Sequence, residues 1–307
     1  MEELILKYQS IYDEYSKKTK ILFPIGLALV ILGFVGFFVF LNIGLENPLV
    51  FIIISVVLIA AGIIILIVQA GIRKKWSTLY KKEIFPEFLK ATYPDGSYYP
   101  DRGFDLEKIM YTRFFRKPDR YLRGNYLSAK IGTTEFEMAD YTFQMEHRDK
   151  DGHITYDTYA KGRFLIMTFP RNFKSTVKVL EKTFKFNFGF IEKKHVVEME
   201  SVDFNKKFTT YCDDSLAAFY ILTPQIQEKM LELEASFKGQ IYYLFDDNHL
   251  YVAINDNGDS FTYPLGKAFD VIGLNDAMKE LLIPKTFIEL LKLNADKFSE
   301  ESFDNTI

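Results

Sequence analysis

Few residues in this sequence are suited to chemistry. Asp213 and Asp214 stand side by side before Ser215, and paired carboxylates can act as acid and base or hold a divalent cation. Neighbours on a strand face opposite ways, so a shared site would need a loop. A turn or cap role suits aspartate better. Cys212, the single cysteine, precedes them. An acidic neighbour gives a thiolate no support, so Cys212 reads as a small structural side chain. His147, Asp149, Asp151 and His153 surround an Asp-Gly turn, and imidazoles with carboxylates can ligate a cation. Their spacing matches no standard motif, and a solvated hairpin tip accounts for them. Asp256-Asn257-Gly258-Asp259 is similar to a calcium loop but lacks the later bidentate glutamate, which leaves a plain turn.

A sharper signal is Arg113, Phe114, Phe115, Arg116, Lys117, Arg120, Tyr121 and Arg123, cations interleaved with aromatics in a chain of net charge −3. Beside a cytosolic membrane surface each such cation gains about 1 kcal/mol from anionic headgroups. The preferred reading buries Phe114 and Phe115 and leaves the cations solvated or paired. No Walker A loop, dinucleotide fingerprint, nucleophile elbow or H-E-x-x-H is present. No catalytic residue, metal ligand or cofactor is assigned. The charge balance argues against a nucleic-acid partner, which favours a strongly basic face. One cysteine allows no intrachain disulfide and agrees with a reducing compartment.

The elements that would position these groups begin with two uncharged stretches, residues 21–45 and 47–72, broken by Glu46 and Pro48. Each is long enough to cross a bilayer as a helix. Lys17, Lys18 and Lys20 precede the first, Arg73, Lys74 and Lys75 follow the second, and the turn between carries no Lys or Arg. That asymmetry places both termini in the cytoplasm of a multi-pass protein of the cell (inner) membrane. A cleaved signal peptide is not expected. The spans hold no ionisable group, which weakens a transporter reading. Gly26 and Gly33 in the first and Ser55, Gly62 and Gln69 in the second recur every seven residues, so each set shares a helix face. With a turn centred on residues 47 and 48, Gly33 should oppose Gly62, and Gly26 should lie level with Gln69.

The expected organisation is a cytosolic amphipathic helix (1–20), transmembrane helices (21–41 and 49–72) joined by an external turn (42–48), and a juxtamembrane helix (73–92). A cytosolic α+β domain (93–293), in one piece or two subdomains, precedes an acidic tail (294–307). Leu4, Tyr8, Ile11, Tyr12 and Tyr15 give the first helix its apolar stripe. Trp76, Leu79, Tyr80 and Phe85 continue the second, with a break at Pro86. Trp76 and Tyr80 read first as interfacial anchors, with a packed stalk as the other possibility. Residues 125–130, 136–145, 154–169 and 176–181 read as antiparallel strands, with a turn at Asp151-Gly152. A β segment is expected from His195 to Tyr211, then a helix opened by Thr223-Pro224. A hairpin turning at 246–249 follows, and a last helix from Asp276 to Leu293 is interrupted by Pro284.

The run Phe204-Asn205-Lys206-Lys207-Phe208, then Asp213-Asp214, Ala217-Ala218 and Ile221-Leu222-Thr223-Pro224, then Leu250-Tyr251-Val252-Ala253-Ile254, resembles a bacterial family known as domain of unknown function 3137. The resemblance implies a short N-terminal helix, two spans and an α+β domain in a bacterial membrane protein. It implies no activity and no functional residues. The leading expectation is a membrane-anchored binding or scaffold module, with the bilayer and an unidentified cytosolic or membrane protein as partners and a homo-oligomer allowed. The alternatives are a membrane-associated enzyme without a motif, using Asp213, Asp214 or a histidine, and an accessory subunit of a pore or transporter.

Overall fold

Two uncharged stretches rich in β-branched residues and leucine wind into two long helices, which satisfy their backbone hydrogen bonds internally. The computed structural model describes residues 2–42, 48–170, 172–173, 175–182 and 196–293. Helix α1 runs Glu2–Asn42 and α2 runs Pro48–Leu79, and both are long and apolar enough to cross a membrane. The chain divides into two units, residues 1–91 with 262–278, and residues 92–261 with 279–307. The first is called the anchor unit below and the second the sheet unit.

In the anchor unit α1 and α2 pack along each other. Between residues 21–41 and 49–72 the buried positions are Gly26, Gly33, Ser55, Gly62 and Gln69, while Leu32, Phe38, Ile53 and Ile67 are exposed. Small residues let the backbones touch. A Cβ on Gly62 would lie 2.7 Å from the Gly26 carbonyl oxygen, and one on Gly33 would lie 2.8 Å from that of Ser55. The pairing differs from the expected register: Gly33 faces Ser55 and Ile59 instead of Gly62, and Gly62 faces Gly26 and Val30. A seven-residue spacing fixes which face meets, but the axial offset depends on the turn and tilt.

Beyond the apolar stretch α2 ends in a π turn, Tyr80–Ile84, followed by α3, Phe85–Thr92. Pro86 has no N–H to return to the fourth residue before it, and the wider turn sits where that bond is lost. The segment 262–278, with α8 at Val271–Ala277 capped by Asp270, completes this unit.

The sheet unit is one nine-stranded sheet, and every pairing in it is antiparallel. Its strands are β1 (Ser97–Tyr99), β2 (Arg120–Ile131), β3 (Thr134–Arg148), β4 (Ile154–Thr168), β5 (Val177–Glu181), β6 (Val196–Val197), β7 (Phe208–Cys212), β8 (Gln240–Asp246) and β9 (His249–Asn255). They lie in the order β1-β2-β3-β4-β9-β8-β5-β7-β6, so the β8–β9 hairpin joins the first strands to the later ones through β4. Phe164 to Met167, Ile241 to Phe245 and Val252 to Ile254 are buried at every position. A strand covered on both faces loses the polar alternation, which is why these runs read as continuous apolar sequence. On one face Tyr141, Phe143, Phe164, Tyr242 and Leu244 form a core with Phe114 and Phe115. Tyr243 projects to the other face, where it meets Phe287 of α9, Leu282–Leu293.

Two expectations are corrected. Of the segment expected to be β from His195 to Tyr211, His195 lies outside the described residues and Val202–Lys207 is helix α5. Ser201 caps it, its hydroxyl accepting from the Phe204 amide at 3.2 Å, and Asp203 and the pair Lys206, Lys207 match the helix dipole. Pro284 does not interrupt a helix. It sits in the first turn of α9, where a missing N–H costs nothing, and a 3-10 turn at Lys279–Leu281 follows α8.

Candidate functional site

The anchor unit gathers polar and aromatic groups just past the apolar part of its helices. On α1, Tyr8, Tyr12, Ser16 and Thr19 recur on one buried face. On α2 and the π turn, Trp76 and Tyr80 are buried against them, which corrects the reading of these two as interfacial anchors. Tyr263 and Phe269 from the returning segment close the cluster. Tyr12 lies 4.9 Å from Phe269 in a stacked pair and 5.3 Å from Trp76 edge-on, and Tyr263 meets Phe269 at 5.1 Å. Such contacts favour edge and offset geometry because the ring faces are negative and the edges positive.

Hydrogen bonds fix the segment. The Trp76 indole N–H donates to the Tyr263 carbonyl at 2.7 Å. The Tyr12 hydroxyl donates to the Lys267 carbonyl and accepts from the Gly266 amide. Tyr263 in turn donates to the Ala268 carbonyl. Burial, with the neighbouring Tyr12, pushes the Tyr263 phenol up to about 12, and burial raises Tyr80 further, so both phenols stay neutral.

Beside this cluster lies an open cleft of ≈ 330 Å³ lined by Ser16, Thr19, Lys20, Phe23, Pro24 and Arg73, with Leu265 from the returning segment. The Thr19 hydroxyl donates to the Tyr15 carbonyl at 3.0 Å. With the Gln69 amide turned so that its oxygen faces the guanidinium, the orientation that satisfies both groups, that oxygen accepts from Arg73 Nε at 2.6 Å and from one terminal nitrogen at 2.9 Å; the guanidinium lies 5.7 Å from the Phe23 ring. Among the described residues no carboxylate lines the cleft.

The sheet unit disperses the groups that sequence singles out. Phe114 and Phe115 are buried, while Arg113, Arg116, Lys117, Arg120 and Arg123 are exposed and Tyr121 is half-buried. Arg116 lies over Tyr159 at 5.0 Å and Arg120 over Tyr156 at 5.1 Å. Arg123 bonds the Phe104 carbonyl at 2.9 Å and pairs with Asp105 at 2.8 Å. Asp214 caps α6, Ser215–Ile221, its carboxylate accepting from the Leu216 amide. Cys212 is buried and its thiol faces the Asp214 carbonyl at 2.9 Å. At the β3–β4 tip Asp149, Asp151 and His153 offer ligand atoms within 4.8 Å of one another, and all three are exposed. Asp149 is occupied in shaping the turn, accepting from the amides of Asp151 at 2.9 Å and His153 at 2.8 Å, and Gly152 takes φ +85°. His147 lies near Asp157 at 3.3 Å, and His249 opens β9.

One pair that sequence reading missed is Arg163 with Asp256, 2.6 Å apart and nearly enclosed. Asp256 is therefore more than a turn residue. A charged residue inside the apolar run of β4 was the available signal, since arginine is buried only when paired.

Residues 158–293 match the family described as protein of unknown function (DUF3137). Over that segment the chain is similar to the family. The DUF3137 segment begins within β4, ends with α9, and contains residues 262–278 of the anchor unit; α1 and α2 lie outside the match. No curated protein matches the chain in sequence. Among solved structures, that of the mycobacterial trehalose monomycolate transport factor A, TtfA, aligns with 62% of this chain and 90% of its own, at a TM-score of 0.34 and 12% identity. A likeness of that size carries no conclusion about activity.

Proposed function

We propose that this chain is a membrane-anchored binding or scaffold module of a bacterial inner membrane. Its two apolar helices cross the bilayer with both termini in the cytoplasm, and its sheet unit is offered to a cytosolic or membrane partner. The observation that carries this reading is the path of the chain. It passes between anchor and sheet units at 91/92, 261/262 and 278/279, so the sheet unit is tied to the anchor by three connections instead of a single linker. The uncharged spans suit anchoring, because ion and proton pathways need an ionisable group in the membrane. The basic segment from Arg113 to Arg123 adds an exposed cationic surface whose chemistry suits anionic lipid.

Reporter fusions at both termini test the topology, and an external C-terminus overturns it. Crosslinking in native membranes tests the scaffold role: a defined protein neighbour is expected, and a chain that crosslinks to nothing contradicts it. Neutralising Arg113, Arg116, Lys117, Arg120 and Arg123 together should weaken binding of the sheet unit to anionic liposomes; unchanged binding removes lipid from its role.

A further inference from the structure

We propose that the cleft lined by Ser16, Thr19, Lys20 and Arg73 binds a phosphoryl group, that of an anionic headgroup or of a soluble phosphate ester. The inference rests on the reading of α1 and α2 as membrane helices, and it adds a ligand to them. Lys20 is the last residue before the first uncharged stretch and Arg73 the first after the second, so the cleft sits where the apolar surface stops. That is the depth of headgroup phosphates, and basic pockets between membrane helices are where such groups bind.

The donors suit phosphate. Among the described residues Lys7 and Lys18 on the same helix carry carboxylate partners, whereas Lys20 carries none, and its ammonium keeps three N–H groups to give. Arg73 commits Nε and one terminal nitrogen to Gln69, a buried residue, and this bond aims the rest of the fork. A guanidinium so held is preorganised for a planar pair of oxygens. Thr19 has given its proton to Tyr15, which leaves the Ser16 hydroxyl, on a residue 4% exposed, as the neutral donor. Exposed Phe23 and Pro24 form an apolar lip beside the cations, suited to the glycerol and upper acyl chain of a lipid. A volume of ≈ 330 Å³ is at the small end for ligand sites and fits a headgroup.

The test uses the full chain in detergent, equilibrated with mixed phosphatidylcholine and phosphatidylglycerol, with retained lipid counted by native mass spectrometry. Wild type should keep phosphatidylglycerol in preference. Lys20→Ala with Arg73→Ala should weaken retention by about fivefold for each cation removed. Lys74→Ala with Lys75→Ala removes the same charge outside the cleft and should change retention by less than about twofold; equal loss in both pairs, or a wild type that neither prefers phosphatidylglycerol nor binds millimolar glycerol phosphate, overturns the proposal. Lys20→Arg keeps the charge and should retain the lipid, which separates lost binding from lost folding. Displacement by millimolar glycerol phosphate assigns the site to a soluble ester, and resistance assigns it to lipid. Carbonate extraction of native membranes reports separately on anchoring: a chain released by carbonate defeats the membrane reading, while glycerol phosphate titrated against the purified chain still decides the cleft.

Discussion

The two units reverse each other's packing. Along its apolar helices the anchor unit buries glycine, serine and glutamine and exposes leucine, isoleucine and phenylalanine, whereas the sheet unit buries phenylalanine, tyrosine and leucine and exposes most of its charges. In water apolar burial drives association. Between helices in lipid that drive is absent and close backbone contact takes its place. At the aromatic cluster of Tyr12, Trp76, Tyr263 and Phe269 the anchor unit packs as the sheet unit does. The cluster lies within about two turns of Lys20 and Arg73, the points at which charge returns to the helices.

The contrast is broken most severely by removing a large buried group. Arg163→Ala leaves Asp256 enclosed without its partner and should cost about 3–5 kcal/mol in the sheet unit. Trp76→Ala should cost about as much in the anchor unit and expose residues 262–278 to protease. Denaturant titration of the full chain in detergent, read beside hydrogen exchange, assigns each loss to its unit. If either variant loses less than about 1 kcal/mol, that cluster is not the organising core.

Overpacking comes next. Gly62→Val forces side-chain atoms against Gly26 and Val30 and should weaken helix pairing by about 1–3 kcal/mol, with the sheet unit unaffected. The rings of Phe40 and Phe51 lie 4.5 Å apart, so Phe40→Cys with Phe51→Cys in a Cys212→Ser background should crosslink readily, and more slowly once Gly62→Val is added. An unchanged rate means that the helices do not meet at Gly62.

Smaller still, Tyr12→Phe keeps the ring and deletes the hydroxyl between Lys267 and Gly266, for a loss of about 0.5–1.5 kcal/mol. Faster amide exchange at Gly266 would register it. The smallest effect is Glu181→Gln. Burial pushes this carboxyl above its ordinary value of 4.5, although the Ile241 amide bonds it. The folded chain therefore holds the proton more tightly than the unfolded one. The resulting stabilisation is full below the ordinary value and is lost as pH rises through the folded one. Wild type should lose a little stability in that window, and the amide variant should not.

Sequence gave up the apolar helices and most strands because each carries its own signal, an absence of charge or a period of two. Phe136 and Met138 alternate, and the Asp-Gly turn before β4 follows from backbone freedom at Gly152. Val202 to Lys207 was obscured because phenylalanine and valine outweighed the cap at Ser201. The aromatic cluster was the least legible part. Tyr12 and Tyr263 are remote in sequence, and Thr262 to Asp270 reads as a loop with proline and glycine. The local hint was a loop with two aromatics and no visible place to bury them. In the sequence Lys20 and Arg73 signal only topology, and the fold alone shows that they share a cleft.

The place of residues 262–278 in the anchor unit also sets an order of events. The helices are synthesised first, yet the segment that covers Tyr12 and Trp76 is made roughly 190 residues after the second apolar stretch, about 10–40 s later at ordinary rates of translation. Until then those aromatics have no cover from their own chain. A nascent chain stopped between the end of α2 and residue 262 therefore carries both apolar helices and an open aromatic face, a state that proteases and chaperones can recognise as unfinished.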